Sequence, residues 1–169
     1  MNAAVTEQIR ERFPQALAEG KGDLFGETAG EDFVALAPEP WLDVARWLRD
    51  DPALKLDSLQ CITGVDLGPE QPLEVRYNLH SMLHHHHAEI RIVVPREDPV
   101  VPSVAEVWKI ADWFEREVYD LFGVTFTGHP NLKRILLPED WEGYPLRKDY
   151  TEPETYHGIV VPKVKTGWE

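Results

Sequence analysis

Apolar residues recur along this chain with two periods, and the change of period divides it into helices and strands. Val5, Ile9 and Phe13 stand four apart, which predicts a short amphipathic helix over residues 4–13, followed by Pro14. Phe33–Ala37 is an unbroken apolar run of strand length and reads as a buried strand. Pro38 and Pro40 open a second helix, since proline is tolerated in a first turn, and Trp41, Val44, Ala45 and Leu48 share one face of it. Asp50, Asp51 and Pro52 end that helix. Gly20–Gly30, with four glycines in eleven residues, reads as a loop.

From Leu56 the period shortens. Leu56–Leu67 and Leu73–Leu79 have strand character, and the turn signal Gly68-Pro69-Glu70-Gln71-Pro72 between them predicts a hairpin. In Ala88–Val94, Ile90 and Ile92 alternate with Glu89 and Arg91, giving one buried and one wet face. Short connections imply antiparallel pairing. Ser103 with Glu106 three residues on is a capping-box pattern, and the helical period continues through Trp108, Phe114, Val118 and Leu121 to a C-terminal cap at Gly123. An unbroken helix puts Glu115 in the middle of its apolar stripe. Either the helix breaks near Ala111 and shifts phase, or Glu115 is a buried carboxylate whose partner comes from another element, because Arg116 cannot turn to the same face.

No regular period survives past Gly123. Residues 124–150 carry Pro130, Pro138 and Pro145, which stiffen an irregular path, together with Leu132, Ile135, Leu136, Leu137, Trp141, Tyr144 and Leu146. A solvated linker is not this apolar, and compact domains seldom hold so long an irregular stretch unless it has a function. Its charges are ordered: Lys133-Arg134 before the apolar triplet, Glu139-Asp140 after it, and Arg147-Lys148-Asp149 at the close. Arginine is favoured at interfaces because its planar fork pairs with carboxylates and stacks on rings. The expected architecture is therefore an α+β domain over residues 1–123, with an antiparallel or mixed sheet of about four strands flanked by helices, and an extended partner-binding arm and tail over residues 124–169.

Composition removes several function classes. The net charge of −13 opposes binding to nucleic acid or to an anionic lipid surface through the general field. Cys61 is the only cysteine, so this chain cannot supply the four thiolates of an iron–sulfur cluster. It contains no GxGxxG or Walker-type loop. The expectation is no cofactor in this chain. The N-terminus MNAAVTEQIRERF has no apolar signal core, and the apolar runs are too short to span a bilayer, so a cytoplasmic location is expected. His84–His87 offers at most two ligands on one strand face, His84 with His86, and reads as a polar hairpin end rather than a metal site. His129 with Glu117 would make a general base, as in a free-standing hydrolase, but no nucleophile pattern accompanies them, so no catalytic residue is assigned.

EREVYDLFG, followed by FTGHP, LKRILLPEDWEG and PLRKDY, resembles the signature of the 30-kDa subunit of respiratory complex I, the C subunit of the bacterial NADH–quinone oxidoreductases. Glu115, Arg116, Glu117, Asp120, Gly123, His129, Arg134 and Pro138 fall in family register, as do Pro145, Leu146, Arg147, Lys148, Asp149 and Tyr150. The match is strong over residues 100–150; the earlier sheet is similar in order and length. Lys109 and Ile110 stand where many members have proline and glycine, the related J subunit of plastids and cyanobacteria having lysine there; Thr151 replaces a common proline, and the tail is short. The resemblance implies a subunit of the peripheral arm, on the cytoplasmic side of the inner membrane and reaching it only through the complex. It would pack against the 49-kDa-type subunit that helps form the quinone cavity, near iron–sulfur subunits. The complex passes electrons from NADH through FMN and Fe-S clusters to quinone, coupled to proton translocation, with no redox centre in this subunit. The interface would draw on Glu115, Arg116, Glu117, Asp120, His129, Arg134, Leu136, Arg147, Lys148 and Asp149. The alternative is the equivalent subunit of a membrane-bound hydrogenase or another complex I-like dehydrogenase.

Overall fold

The computed structural model describes residues 2–16 and 33–161. The glycine-rich stretch 20–30 and the last residues of the tail lie outside the described residues. Helix α1 (Asn2–Arg12) leads into a 3-10 turn at Pro14–Ala16, then strand β1 (Val34–Leu36) and helix α2 (Trp41–Asp50). Strands β2 (Ser58–Asp66), β3 (Leu73–His80) and β4 (His87–Val94) follow. These strands form one sheet in the order β1-β4-β3-β2. The β2–β3 and β3–β4 pairs are antiparallel, as their hairpin connections require, whereas β1 runs parallel to β4. The sheet is therefore mixed: β1 is joined to the hairpins through a helix, and a crossover permits parallel pairing.

Period-two alternation fixes the buried face. Leu73, Val75, Tyr77 and Leu79 of β3 stand opposite Val94, Ile92, Ile90 and Ala88 of β4, and all are buried. Helix α2 covers this face, with its Trp41 ring 4.6 Å from that of Tyr77. Trp41, Val44, Ala45 and Leu48 are all buried.

A second unit follows. Strand β5 (Val100–Pro102), helix α3 (Ala111–Phe122) and strand β6 (Thr125–Thr127) form a β-α-β crossover in which β5 and β6 pair in parallel. Helix α3 lies over the edge of the main sheet, where Gly64 of β2 leaves room for the ring of Phe122; a Cβ there would come within 2.5 Å of it. Val124 and Phe126 belong to the same hydrophobic core as the sheet. The last described element is a small hairpin of β7 (Thr155–Tyr156) and β8 (Ile159–Val160). No helix among the described residues is long and apolar enough to cross a membrane.

The start of α3 differs from the expected capping box at Ser103. The Ser103 N–H donates to the Thr127 carbonyl of β6 at 2.9 Å, so Glu106 has no free amide to reach back to, and Glu106 is exposed. Turns occupy the following residues, and the regular helix begins at Ala111. The end of the helix is where the sequence places it. Gly123 caps it in the left-handed conformation at φ 70°, its N–H donating to the Tyr119 carbonyl. Both readings of Glu115 thus hold together: the helix starts at Ala111, and Glu115 is buried with partners from another element.

Candidate functional site

Asp112, Arg116, Asp120 and Gly123 lie about one turn apart on α3 and form a single stripe along the helix. The segment after β6 turns back and runs along that stripe. At its start, His129 Nε2 is 3.1 Å from the Asp112 carbonyl, and its Nδ1 accepts the Asn131 N–H at 3.0 Å. Acceptance at Nδ1 assigns the ring proton to Nε2. One turn on, Arg116 Nε donates to the Lys133 carbonyl at 3.2 Å.

Asp120 is the main clasp. Its Oδ2 accepts three consecutive amides, Ile135 at 2.9 Å, Leu136 at 2.7 Å and Leu137 at 3.0 Å. Its Oδ1 accepts Arg134 Nη1 at 2.8 Å. The carboxylate is fully buried. Burial alone would raise its pKa, but the three amides and the guanidinium outweigh that and hold it below the usual carboxylate range. Arg134 also donates to the carbonyls of Trp141 and Gly143, gathering the next loop of the arm.

At the far end of α3, Tyr144 lies over Gly123, so closely that a Cβ there would come within 2.4 Å of its ring. The guanidinium groups of Arg134 and Arg147 lie 5.5 and 5.0 Å from the centre of that ring. Arg147 Nε donates to the Phe122 carbonyl at 2.6 Å, one of the acceptors a helix C-terminus leaves open. A last anchor joins the arm to the sheet. The Lys148 N–H donates to Asp66 at 2.8 Å, and Asp149 lies 3.2 Å from Arg96, which itself grips Asp66 with both Nη1 and Nη2. Burial pushes the Asp66 carboxyl up, but the Arg96 fork and the Lys148 and Gly68 amides hold it below its usual range.

Beneath the root of the arm lies a closed polar cluster. Glu115 Oε2 is 2.6 Å from Ser103 Oγ, and Oε1 accepts the Val104 N–H at 2.7 Å. His129 Nε2 is 3.9 Å from Oε2, and both side chains are fully buried. Parallel pairing of β5 with β6 brings Ser103 and His129 to the same end of the crossover, against α3. Burial pushes the Glu115 carboxyl up to about 7; the Ser103 and Val104 donors oppose this, and Asp112 adds to it. No Lys or Arg forms an ion pair with Glu115 among the described residues.

The structure therefore brings most of the residues that the sequence points to together on one rail. Arg116, Asp120, His129, Arg134, Arg147 and Asp149, with the Lys148 amide, hold the arm to its own domain. Leu136 and the Lys148 side chain face outward, and Glu117 is exposed. The pairing of His129 with Glu117 that a hydrolase would use does not form: the carboxylates at His129 are Asp112 and Glu115. Asp66, Arg96, Ser103, Asp112 and Tyr144 are site residues that sequence reasoning misses. Only Asp112 carries a signal, its place four residues before Arg116 and eight before Asp120. In the histidine turn, the rings of His84 and His86 stack at 5.8 Å, and no group of three or more potential metal ligands occurs among the described residues.

The mixed sheet with its crossover helix has counterparts among solved structures. The structure matches the trypsin-resistant fragment (1–134) of Nqo5 with a TM-score of 0.58 and 27% identity, covering 78% of this chain and all of that one. It also matches a chain of the membrane-bound sulfane sulfur reductase, an archaeal respiratory membrane complex, with a TM-score of 0.65 over 88% of this chain and 85% of that one; at 24% identity this shows the fold alone. Residues 34–156 match the family described as the respiratory-chain NADH dehydrogenase 30 Kd subunit. The NADH-quinone oxidoreductase C subunit of Chlorobium phaeobacteroides is 49% identical over 131 residues, 77% of this chain and 79% of that protein. The same subunit of Chloroherpeton thalassium is 43% identical over 155 residues, 91% of this chain but only 62% of that longer protein. The chain belongs to the family of the 30-kDa subunit of respiratory-chain NADH dehydrogenase.

Proposed function

We propose that this chain is a non-redox structural subunit of an NADH–quinone oxidoreductase, and that it binds a neighbouring subunit through the outer surface of its arm. The observation that carries this is the polarity of the arm. Its arginines are turned inward onto α3, while Leu136 and Leu146 stand 61% and 52% exposed on the other side. A chain that clasps an irregular segment this firmly, yet leaves Leu136 and Leu146 in water, is holding a preformed apolar surface for a partner. The partner proposed is the 49-kDa-type subunit of the quinone site, with iron–sulfur subunits nearby, on the cytoplasmic side of the membrane. The FMN, clusters and quinone belong to those other subunits, and the complex carries electrons from NADH to quinone with proton translocation.

Expression of the complex with Leu136→Glu and Leu146→Glu together tests this. The free chain is expected to fold normally, since both side chains are exposed, while its recovery with the neighbouring subunits falls at least tenfold, about 1.4 kcal/mol or more of lost association. Normal recovery would exclude the arm's outer face as the contact. Arg134→Ala with Arg147→Ala is expected to weaken assembly by another route, by unseating the arm, which increases tryptic cleavage at Lys133 in the free chain.

A further inference from the structure

We propose that Glu115 and His129 form a proton-sensitive latch, in which the neutral Glu115 carboxyl holds the root of the arm closed against α3 and its ionisation lets that root open. The geometry suits the neutral acid. The titratable groups facing Glu115 are Asp112 on its own helix, His129 after β6 and Tyr77 from β3; from β5 it meets the Ser103 hydroxyl and the Val104 amide. Ser103 serves either protonation state across the same 2.6 Å: its hydroxyl donates to a carboxylate, or accepts from a carboxyl O–H while also accepting the Ala105 N–H.

The ring nearest Glu115 is His129, and the closed arm already uses both of its nitrogens: Nε2 lies 3.1 Å from the Asp112 carbonyl and Nδ1 accepts the Asn131 N–H. Loss of the Glu115 proton to solvent therefore leaves a buried carboxylate beside Asp112 with no Lys or Arg against it among the described residues. Admitting water by opening the root that covers it relieves that charge. The sign follows from linkage: the closed state holds its proton up to about pH 7, above the ordinary carboxyl range, so closure is favoured at low pH and weakens as pH rises through that value. A single proton over this interval changes the closing equilibrium about tenfold between roughly pH 6 and pH 8.

Amide hydrogen exchange of the 169-residue chain, corrected for the intrinsic effect of pH, reads this directly. Protection of the Asn131 and Val104 amides is expected to fall about tenfold from roughly pH 6 to pH 8. The Ile135 and Leu137 amides, held by Asp120, serve as an internal reference for the root alone and are expected to keep their protection. Glu115→Gln is expected to remove the pH dependence. Unchanged protection in the wild type, or the same fall in E115Q, overturns the latch. If E115Q does not fold, the carboxyl carbon shift of Glu115 in the unmodified chain decides: a titration near neutrality supports the latch, and one in the ordinary carboxyl range overturns it.

Discussion

Asp120 and Gly123 show how much of this arm depends on single atoms. Asp120 offers two oxygens to three amides and a guanidinium, a larger donor set than solvent can replace at a site closed to water. Asp120→Ala strips a buried charged group of its partner, which costs about 3 kcal/mol. Denaturant unfolding checks the loss, and tryptic cleavage at Lys133 locates it in the arm. At Gly123 the demands are conformational and steric at once. The left-handed φ of 70° penalises any side chain, and a Cβ would enter the ring of Tyr144. Gly123→Ala is expected to destabilise by about 1–3 kcal/mol and to displace Tyr144, read as a change in its fluorescence or ring NMR signals.

At the scale of elements, α3 works in two directions. Its inner side closes on the main sheet, and Trp108, just before it, donates from Nε1 to the Leu56 carbonyl at 3.1 Å to tie the crossover to the strand side. Its outer stripe carries the arm. Contacts within the stripe should be coupled and those between the two sides independent. A double-mutant cycle of Asp120→Ala with Arg134→Ala is expected to show an interaction energy of about 0.5–3 kcal/mol, because both belong to one network. Asp120→Ala combined with Trp108→Phe, which removes a separate hydrogen bond worth about 1 kcal/mol, is expected to be additive. Equal coupling in both cycles would mean that α3 and its surroundings respond as one body.

For the whole molecule, the shifted carboxyls pull stability in opposite directions along the pH axis. Asp66 and Asp120 are held below their usual range, so their contribution is present above it and lost as pH falls through it. Glu115 is raised to about 7, so its contribution is present in acid and lost as pH rises towards neutrality. Chemical denaturation is expected to show greater stability near about pH 5 than near pH 8, with Glu115→Gln flattening the alkaline side alone. A wild-type profile that rises through neutrality would contradict this assignment.

Local pattern determined a good deal of this protein. Alternation of Leu73, Val75, Tyr77 and Leu79 with polar residues set the central strand and its apolar face, since a one-residue slip would turn the whole apolar set over; that Glu74 and Arg91 on the opposite face are buried too, instead of wet, was decided by the fold. Gly123 marked the end of α3, and proline with leucine marked the arm as a segment that must lie against something. Other features depended on which distant group a polar atom found. Ser103 reads as a helix cap until its N–H is taken by Thr127, twenty-four residues on, and the helix then begins at Ala111 instead. That Arg134 and Arg147 turn inward depends on Asp120 and the open carbonyl of Phe122, which only the fold brings to them. Glu115 has the same sequence neighbours whether wet or dry; only the parallel pairing of β5 with β6, which seats Ser103 and His129 around it, made it a buried acid. Hydrophobic period and backbone conformation are encoded by adjacent residues, whereas the pairing of buried polar groups is a non-local requirement that only the folded chain could satisfy.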